Sequence, residues 1–228
     1  MDFKISIIIP VFKEPNIINK TIEHLDCLST TKRIEIIIVD GHISQNTLKA
    51  VKDNRVKKIP SPRGRGIQMN AGAKVASGEI LLFLHADTCL ANNAPELIIK
   101  TLHDQNAVAG SFDLGINSDK VVFRLIEKMV YIRSRLTRIP YGDQGIFIKR
   151  NFFELLGGYG KMPLMEDVDL MRRVKKAGGK ITIVNRKILT SARRWEKEGV
   201  IFCTLRNWAL LLLYFMGVPT EKLSKFYF

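Results

Sequence analysis

Apolar runs of strand length, each closing on a turn or an acidic residue and each separated from the next by a helix-like stretch, constrain this chain most. Ile5 to Phe12 is β-branched and passes through Pro10-Val11, Ile34 to Val39 ends at Asp40-Gly41, and Ile80 to Leu84 ends at His85-Ala86-Asp87. Strands without polar alternation are buried on both faces, as in parallel sheets covered by helices on each side. Pro15 to Leu28, Gln45 to Val51 and Gly66 to Ala76 lie between or beside these runs and read as helices. The alternation predicts an α/β fold with a mostly parallel, doubly wound central sheet flanked by helices, whose ligands bind beyond the carboxyl ends of the strands.

The second half is less regular. Val108 to Leu114 and Gly145 to Ile148 read as strands, separated by a basic helix from about Asp119 to Thr137. At about 100° per residue, Lys120, Arg124, Lys128, Arg135 and Arg138 form one stripe, opposite Val122, Leu125, Met129, Ile132 and Leu136. The basic stripe reads as a solvated face or as one that meets a membrane or phosphate. Trp208 to Val218 is almost wholly apolar, but eleven residues at about 1.5 Å each reach only about 17 Å, short of a hydrocarbon core of roughly 30 Å. A buried or dimer-interface helix and a monotopic membrane contact both fit it. Repeats and linker-like tracts are absent, so residues 1–228 read as one domain.

Composition narrows the class. With 46% hydrophobic and 25% charged residues, 228 residues can bury a core, which excludes disordered and low-complexity chains. Lys+Arg 36 against Asp+Glu 22 gives +14, and the excess is uneven: 14 − 13 = +1 over residues 1–119 and 22 − 9 = +13 over residues 120–228. Such a field favours anionic partners, whether nucleic acid, phosphorylated metabolite or acidic membrane. Cys27, Cys89 and Cys203 form no CxxC pair, so neither a disulfide framework nor a zinc site is indicated, and a reduced, cytoplasmic setting is expected. The apolar run Ile5 to Val11 is too short for a secretory segment.

The chemistry gathers at strand ends. Asp40 and Asp87 each close a strand of the proposed parallel sheet, and Glu166-Asp167 follows Met162-Pro163-Leu164-Met165. A strand-end carboxylate can hold a hard divalent cation that bridges to substrate phosphates, although a lone one often only caps the next helix. Pro62-Arg63-Gly64-Arg65-Gly66 leads into a helix containing Gln68, Asn70 and Gly72, where glycines, a helix N-terminus and two arginines suit an anion or a nucleic-acid contact. Neither GxGxxG nor GxxxxGK[ST] follows the first strand, which disfavours dinucleotide enzymes and P-loop NTPases.

These residues resemble a family 2 glycosyltransferase of the GT-A fold, of a small bacterial or archaeal subgroup. Ile7 to Glu14 matches the opening "IPxxNE" motif, Val39-Asp40-Gly41 the nucleotide-binding strand end, and Gly78 to Asp87 the DXD region. Gly142-Asp143-Gln144-Gly145, Leu156-Gly157-Gly158-Tyr159 and Glu166-Asp167-Val168-Asp169-Leu170 match acceptor and catalytic-base segments. Two positions depart from the pattern: Lys13 stands where the motif has Asn, and His85 where DXD has Asp.

The resemblance implies an inverting, metal-dependent transfer of sugar from a nucleotide-diphosphate sugar to a hydroxyl acceptor, with a lipid- or phosphate-linked acceptor as one option. Residues 1–115 would be the nucleotide-binding half and 116–228 the acceptor half. Pro10, Val11, Glu14, Asp40, Arg65, Asn70, Ala86 and Asp87 would hold the donor, with Asp40 accepting from the base N–H. Asp87 and His85 would bind Mn²⁺ or Mg²⁺, the imidazole favouring Mn²⁺. Asp167 would be the general base, with Glu166 as runner-up, and Asp143, Gln144, Arg194 and Trp195 would line the acceptor side and closing loop. The expected location is cytoplasmic, with the inner membrane face and a homodimer contact as further candidates and no specific nucleic-acid partner. The competing reading is a non-catalytic GT-A-like protein binding anionic membrane or nucleic acid through its basic half.

Overall fold

The isoleucines that dominate the first strand serve two cores at once. The computed structural model describes residues 3–28, 34–104 and 106–227. Its sheet contains β1 (Ile5–Val11), β2 (Ile34–Asp40), β3 (Lys57–Pro60), β4 (Ile80–Phe83), β5 (Thr88–Cys89), β6 (Ala109–Asn117), β7 (Ile146–Lys149) and β8 (Ile181–Ser191). Their order is β3-β2-β1-β4-β7-β6-β8-β5. The helices are α1 (Ile18–Asp26), α2 (Asn46–Ala50), α3 (Arg65–Val75), α4 (Ala94–Asp104), α5 (Val121–Thr137), α6 (Arg150–Leu155), α7 (Glu166–Lys176), α8 (Arg193–Glu198), α9 (Val200–Phe215) and α10 (Thr220–Ser224).

Ile5, Ile7 and Ile9 pack with Ile18, Ile22 and Leu25 of α1, spaced one helical face apart, and with Ile98 and Leu102 of α4. Ile8 faces the other way, with Ile37 and Val39, against Met69 and Ala73 of α3 and Leu170 and Val174 of α7. Burial on both faces explains why β1 shows no polar alternation. The strands β3, β2, β1 and β4 are mutually parallel, in the register Ile5↔Ile34 and Ile5↔Ile80. The chain runs outward from β1 to β3 and returns through α3 to β4 on β1's other side. That reversal opens a crevice at the carboxyl ends of β1 and β4. Beyond β4 the sheet becomes mixed: β7 is antiparallel to both β4 and β6, while β6 and β8 are parallel, with a register shift between Phe112 and Asp113.

Two expectations from the second half change. On α5 the packing residues are Phe123, Ile126 and Val130, clustered with Leu114 and Ile116 of β6, whereas Val122, Leu125, Met129, Ile132 and Leu136 are exposed. The basic stripe is partly turned inward instead. Arg124 pairs with Glu127 at 2.9 Å and Arg135 with Asp113 at 2.5 Å, both carboxylates being buried. The C-terminal apolar segment belongs to a longer helix, α9, and is not buried by this chain: only Cys203 and Leu210 of α9 are buried, and Trp208 and Leu212 are exposed. Among the described residues no helix is long and apolar enough to cross a membrane, and the three cysteines are free.

Candidate active site

The crevice between β1 and β4 widens into a cavity of about 960 Å³. Pro10, Val11 and Glu14 line it from the end of β1, His85, Ala86 and Asp87 from the end of β4, and Arg65 from the first turn of α3. Glu166-Asp167 at the start of α7, Gly142-Asp143 in a 3-10 turn before β7, and Arg193-Arg194-Trp195 at α8 complete the walls. Gly64, with φ +139°, precedes α3 in a conformation that favours glycine. Gln68, one turn into α3, donates to the carbonyls of Val11 and Val39 at 2.8 Å each, which locks this N-terminus to the ends of β1 and β2.

Charge is concentrated where α7 begins. Met165 enters the helix in the left-handed region, φ +66°, a strained conformation for a non-glycine residue. Asp167 accepts from the Gly142 N–H at 2.5 Å through Oδ2 and from the Val168 N–H at 2.7 Å through Oδ1. A Cβ built on Gly142 would stand 3.3 Å from His85 Nε2 and 3.4 Å from Asp167 Oδ2, so imidazole and carboxylate flank the same glycine. Burial, and secondarily the charge of Asp167, push Glu166 up to about 7, opposed by Arg65. Burial and Arg65 push His85 down to about 3, leaving a neutral imidazole. Asp143 is raised to about 6, chiefly by burial, and its Oδ1 is buried without a hydrogen-bond partner among the described residues. A buried acceptor left open on a cavity wall is suited to a hydroxyl donor from a ligand.

Across the cavity, Arg193 lies between two carboxylates, 2.9 Å from Glu14 and 3.8 Å from Asp87. Burial raises the Asp87 pKa, and Arg193 opposes that shift. Among the described residues no three His, Cys, Asp or Glu side chains converge to hold a metal ion. Asp87 is nonetheless a carboxylate on the wall of a cavity large enough for a diphosphate. The donor set therefore fits a cation held by one protein carboxylate with phosphate and water supplying the rest, as Mg²⁺ and similar ions often are.

Three sequence-predicted residues stand outside the cavity wall. Asp40 is fully buried, and its oxygens accept from the His42 N–H at 2.8 Å and the Thr47 N–H at 3.2 Å, securing the turn into α2. Asn70 exchanges hydrogen bonds with the backbone of Tyr159 and so pins the Gly157-Gly158 turn to α3. Gln144 is buried and holds the 3-10 turn by accepting from Ser134 and Arg133 and donating to the Phe112 carbonyl. Trp195 lines the cavity but also packs edge-on against Phe123. Arg194 meets Glu198 and the ring and hydroxyl of Tyr227. No local spacing in the sequence signals the lining residues Tyr141 and Tyr227 or the pairing of Arg193 with Glu14, 179 residues apart.

A family model described as Glycosyl transferase family 2 matches residues 6–157. The probable glycosyltransferase YdaM of Bacillus subtilis (strain 168) is 26% identical over 229 residues, covering 86% of this chain and 51% of its own length. An uncharacterized glycosyltransferase of Rickettsia felis is 32% identical over 114 residues, 47% of this chain and 18% of its own. Among solved structures, the mannosyltransferase PcManGT from Pyrobaculum calidifontis, in complex with GDP-Man and Mn²⁺, aligns with TM-score 0.68 at 18% identity, covering 83% of this chain and 57% of its own. S. aureus TarS 1-349 in complex with UDP-GlcNAc gives 0.63 at 15% identity, covering 82% and 58%. The chain thus spans about half the length of the B. subtilis relative it matches, and at these identities the structural likeness speaks for the fold.

Proposed function

Given that the chain belongs to glycosyl transferase family 2, we propose that it moves a sugar from a nucleotide-diphosphate donor to a hydroxyl acceptor, with inversion at the anomeric carbon. Membership of a transferase family favours this over the non-catalytic reading. What carries the proposal is the sharing of one cavity by a cation at a helix N-terminus, Arg65, and a carboxylate pair at another, Glu166-Asp167.

In this reading the base and ribose lie along Pro10, Val11 and Glu14, and the diphosphate meets Arg65 and the first N–H groups of α3. Asp87 would hold a divalent cation, which when bound offsets the charge of the departing nucleoside diphosphate. The acceptor hydroxyl oxygen attacks the anomeric carbon, the bond from that carbon to the diphosphate oxygen breaks, and the hydroxyl proton passes to Asp167. Burial favours the protonated form of Glu166, and Asp167 is the carboxylate to which we assign the hydroxyl proton. The two backbone N–H groups on Asp167 fix its orientation and leave each oxygen room for one more donor. The +13 balance of residues 120–228 supports an anionic acceptor.

Thermal shift with UDP, GDP and dTDP, each with Mn²⁺ or Mg²⁺, tests donor binding. At a hundredfold excess over Kd, ligand adds about 2.7 kcal/mol, or roughly 5–10 °C for a chain of this size. One nucleotide should produce that shift, and Arg65→Ala and Asp87→Ala should reduce it. If no nucleoside diphosphate moves the melting temperature with either metal, the proposal fails.

A further inference from the structure

Among the described residues, fourteen of the twenty-one exposed large hydrophobic side chains lie on two helices, seven on α5 and seven on α9. On α5, Leu125, Ile132 and Leu136 recur at helical spacing on the side away from the sheet, with Leu136 80% exposed. On α9, Phe202, Leu205 and Leu212 do the same, at 60%, 57% and 63%. Apart from Arg206, which turns inward to Glu198, α9 has no charged side chain. The two helices are neighbours: Phe123 and Ile126 of α5 cluster with Trp195 and with Val200 at the start of α9. Monomeric soluble proteins rarely leave contiguous apolar patches of more than a few hundred Å² facing water.

We propose that the outward faces of α5 and α9 seat this protein on the surface of an anionic lipid bilayer. Charge chooses among the candidate occupants. Lys128 on α5, Arg138 just after it and Lys222 after α9 are exposed, within the half that carries +13, whereas Lys225 lines the active-site cavity. A second copy would bring two such halves face to face, and a nucleic acid would leave the apolar side chains wet. An anionic bilayer satisfies both features, taking the side chains among its acyl chains and the cations among its headgroups. Trp208 is exposed on the same side of α9 as Leu205 and Leu212, and its ring suits the headgroup level. At about 1.5 Å per residue the 16 residues of α9 extend about 24 Å, so the helix lies on the bilayer and does not cross it.

Docking in this way has a functional corollary. Asn207, Leu210 and Leu211, on the inner side of α9, line the active-site cavity. The membrane-facing helix is therefore also a wall of the site, and an acceptor held in the lipid would need to travel only around one helix to reach it. That corollary rests on the transferase reading; the docking does not.

Vesicle co-sedimentation of the whole chain tests it, comparing phosphatidylcholine vesicles with vesicles that also contain phosphatidylglycerol. Wild type should pellet with the anionic vesicles, less so as salt screens the headgroups. Phe202→Glu with Leu212→Glu, and separately Leu125→Glu with Ile132→Glu, should each lower the bound fraction at least about tenfold. None of these four residues lines the cavity, so the nucleoside-diphosphate thermal shift should stay at the wild-type value, which also confirms folding. Wild type remaining in the supernatant, or variants pelleting as wild type does, would overturn the docking. Light scattering that shows a dimer broken by the same substitutions, without vesicle binding, would assign the faces to a second copy. Failure of the nucleotide shift in wild type would instead count against the transferase reading and leave the docking result standing.

Discussion

At the scale of single residues, backbone conformation and protonation carry specific expectations. Lys13 has φ +59°, a left-handed conformation that costs most L-residues roughly 1–2 kcal/mol and asparagine less. It is also where the family motif has Asn, so the departure from the motif and the strain coincide. Lys13→Asn should stabilise the fold by about 0.5–1 kcal/mol, read as a higher denaturant midpoint at unchanged slope. Glu166 gives a pH signature. Its folded pKa, about 7, lies above the ordinary 4.5, so between these values the native state holds a proton that the unfolded chain has released. This stabilisation is full below the unfolded value and disappears as pH rises through the folded one. Melting temperatures of Glu166→Gln should consequently fall less than those of wild type between about pH 5 and pH 8. Parallel melting curves for the two proteins over that range would exclude a raised Glu166.

At the scale of elements, α5 shows how a helix with its apolar stripe facing outward can stay attached. Glu127 is buried and accepts from the Ile116 N–H at 2.7 Å, from Arg124 and from Lys187, which ties the helix to β6 and β8. Glu127→Ala should destabilise by about 1–3 kcal/mol, chiefly because it strands the buried Ile116 N–H while Arg124 and Lys187 are half exposed, and Leu136→Ser should change stability by less than about 0.5 kcal/mol. Equal losses in equilibrium unfolding would contradict the observed packing direction. The helix also marks where sequence periodicity stops being informative. Period 3.6 correctly separates an apolar stripe from a basic one but cannot say which meets the protein, because Arg135 and Arg124 find buried carboxylates on β6 and within α5 itself. β1, β2 and β4 are legible because burial on both faces leaves unbroken apolar runs to read, Ile7–Ile9, Ile36–Val39 and Ile80–Phe83. The mixed arrangement around β7 was not, since a four-residue strand has no pattern that tells parallel from antiparallel.

For the whole molecule, the site is assembled from segments that only the fold unites. Its strand-end and helix-start members, Pro10, Val11, Arg65, Asp87, Glu166 and Asp167, follow from motifs because the chain must place such residues at the carboxyl edge of a parallel sheet. Arg193 beside Glu14 and Asp87 could not be read that way: its partners are brought to it by β8 crossing the sheet. The Arg193→Ala change should leave the fold intact, because the pair is half exposed, yet alter the charge around Asp87. Donor affinity with Mn²⁺ should then shift severalfold, measured by calorimetry, and an unchanged affinity would place Arg193 outside the donor site. In the proposed reaction, Asp167 takes the acceptor's proton in a cavity that binds a nucleotide-diphosphate sugar. The most direct test of this role is nucleoside diphosphate release during transfer by wild type and Asp167→Asn, with donor affinity determined on the same preparations. Unchanged affinity with release slowed by about 10²–10⁴-fold is the predicted result; release by the variant at the wild-type rate would contradict it.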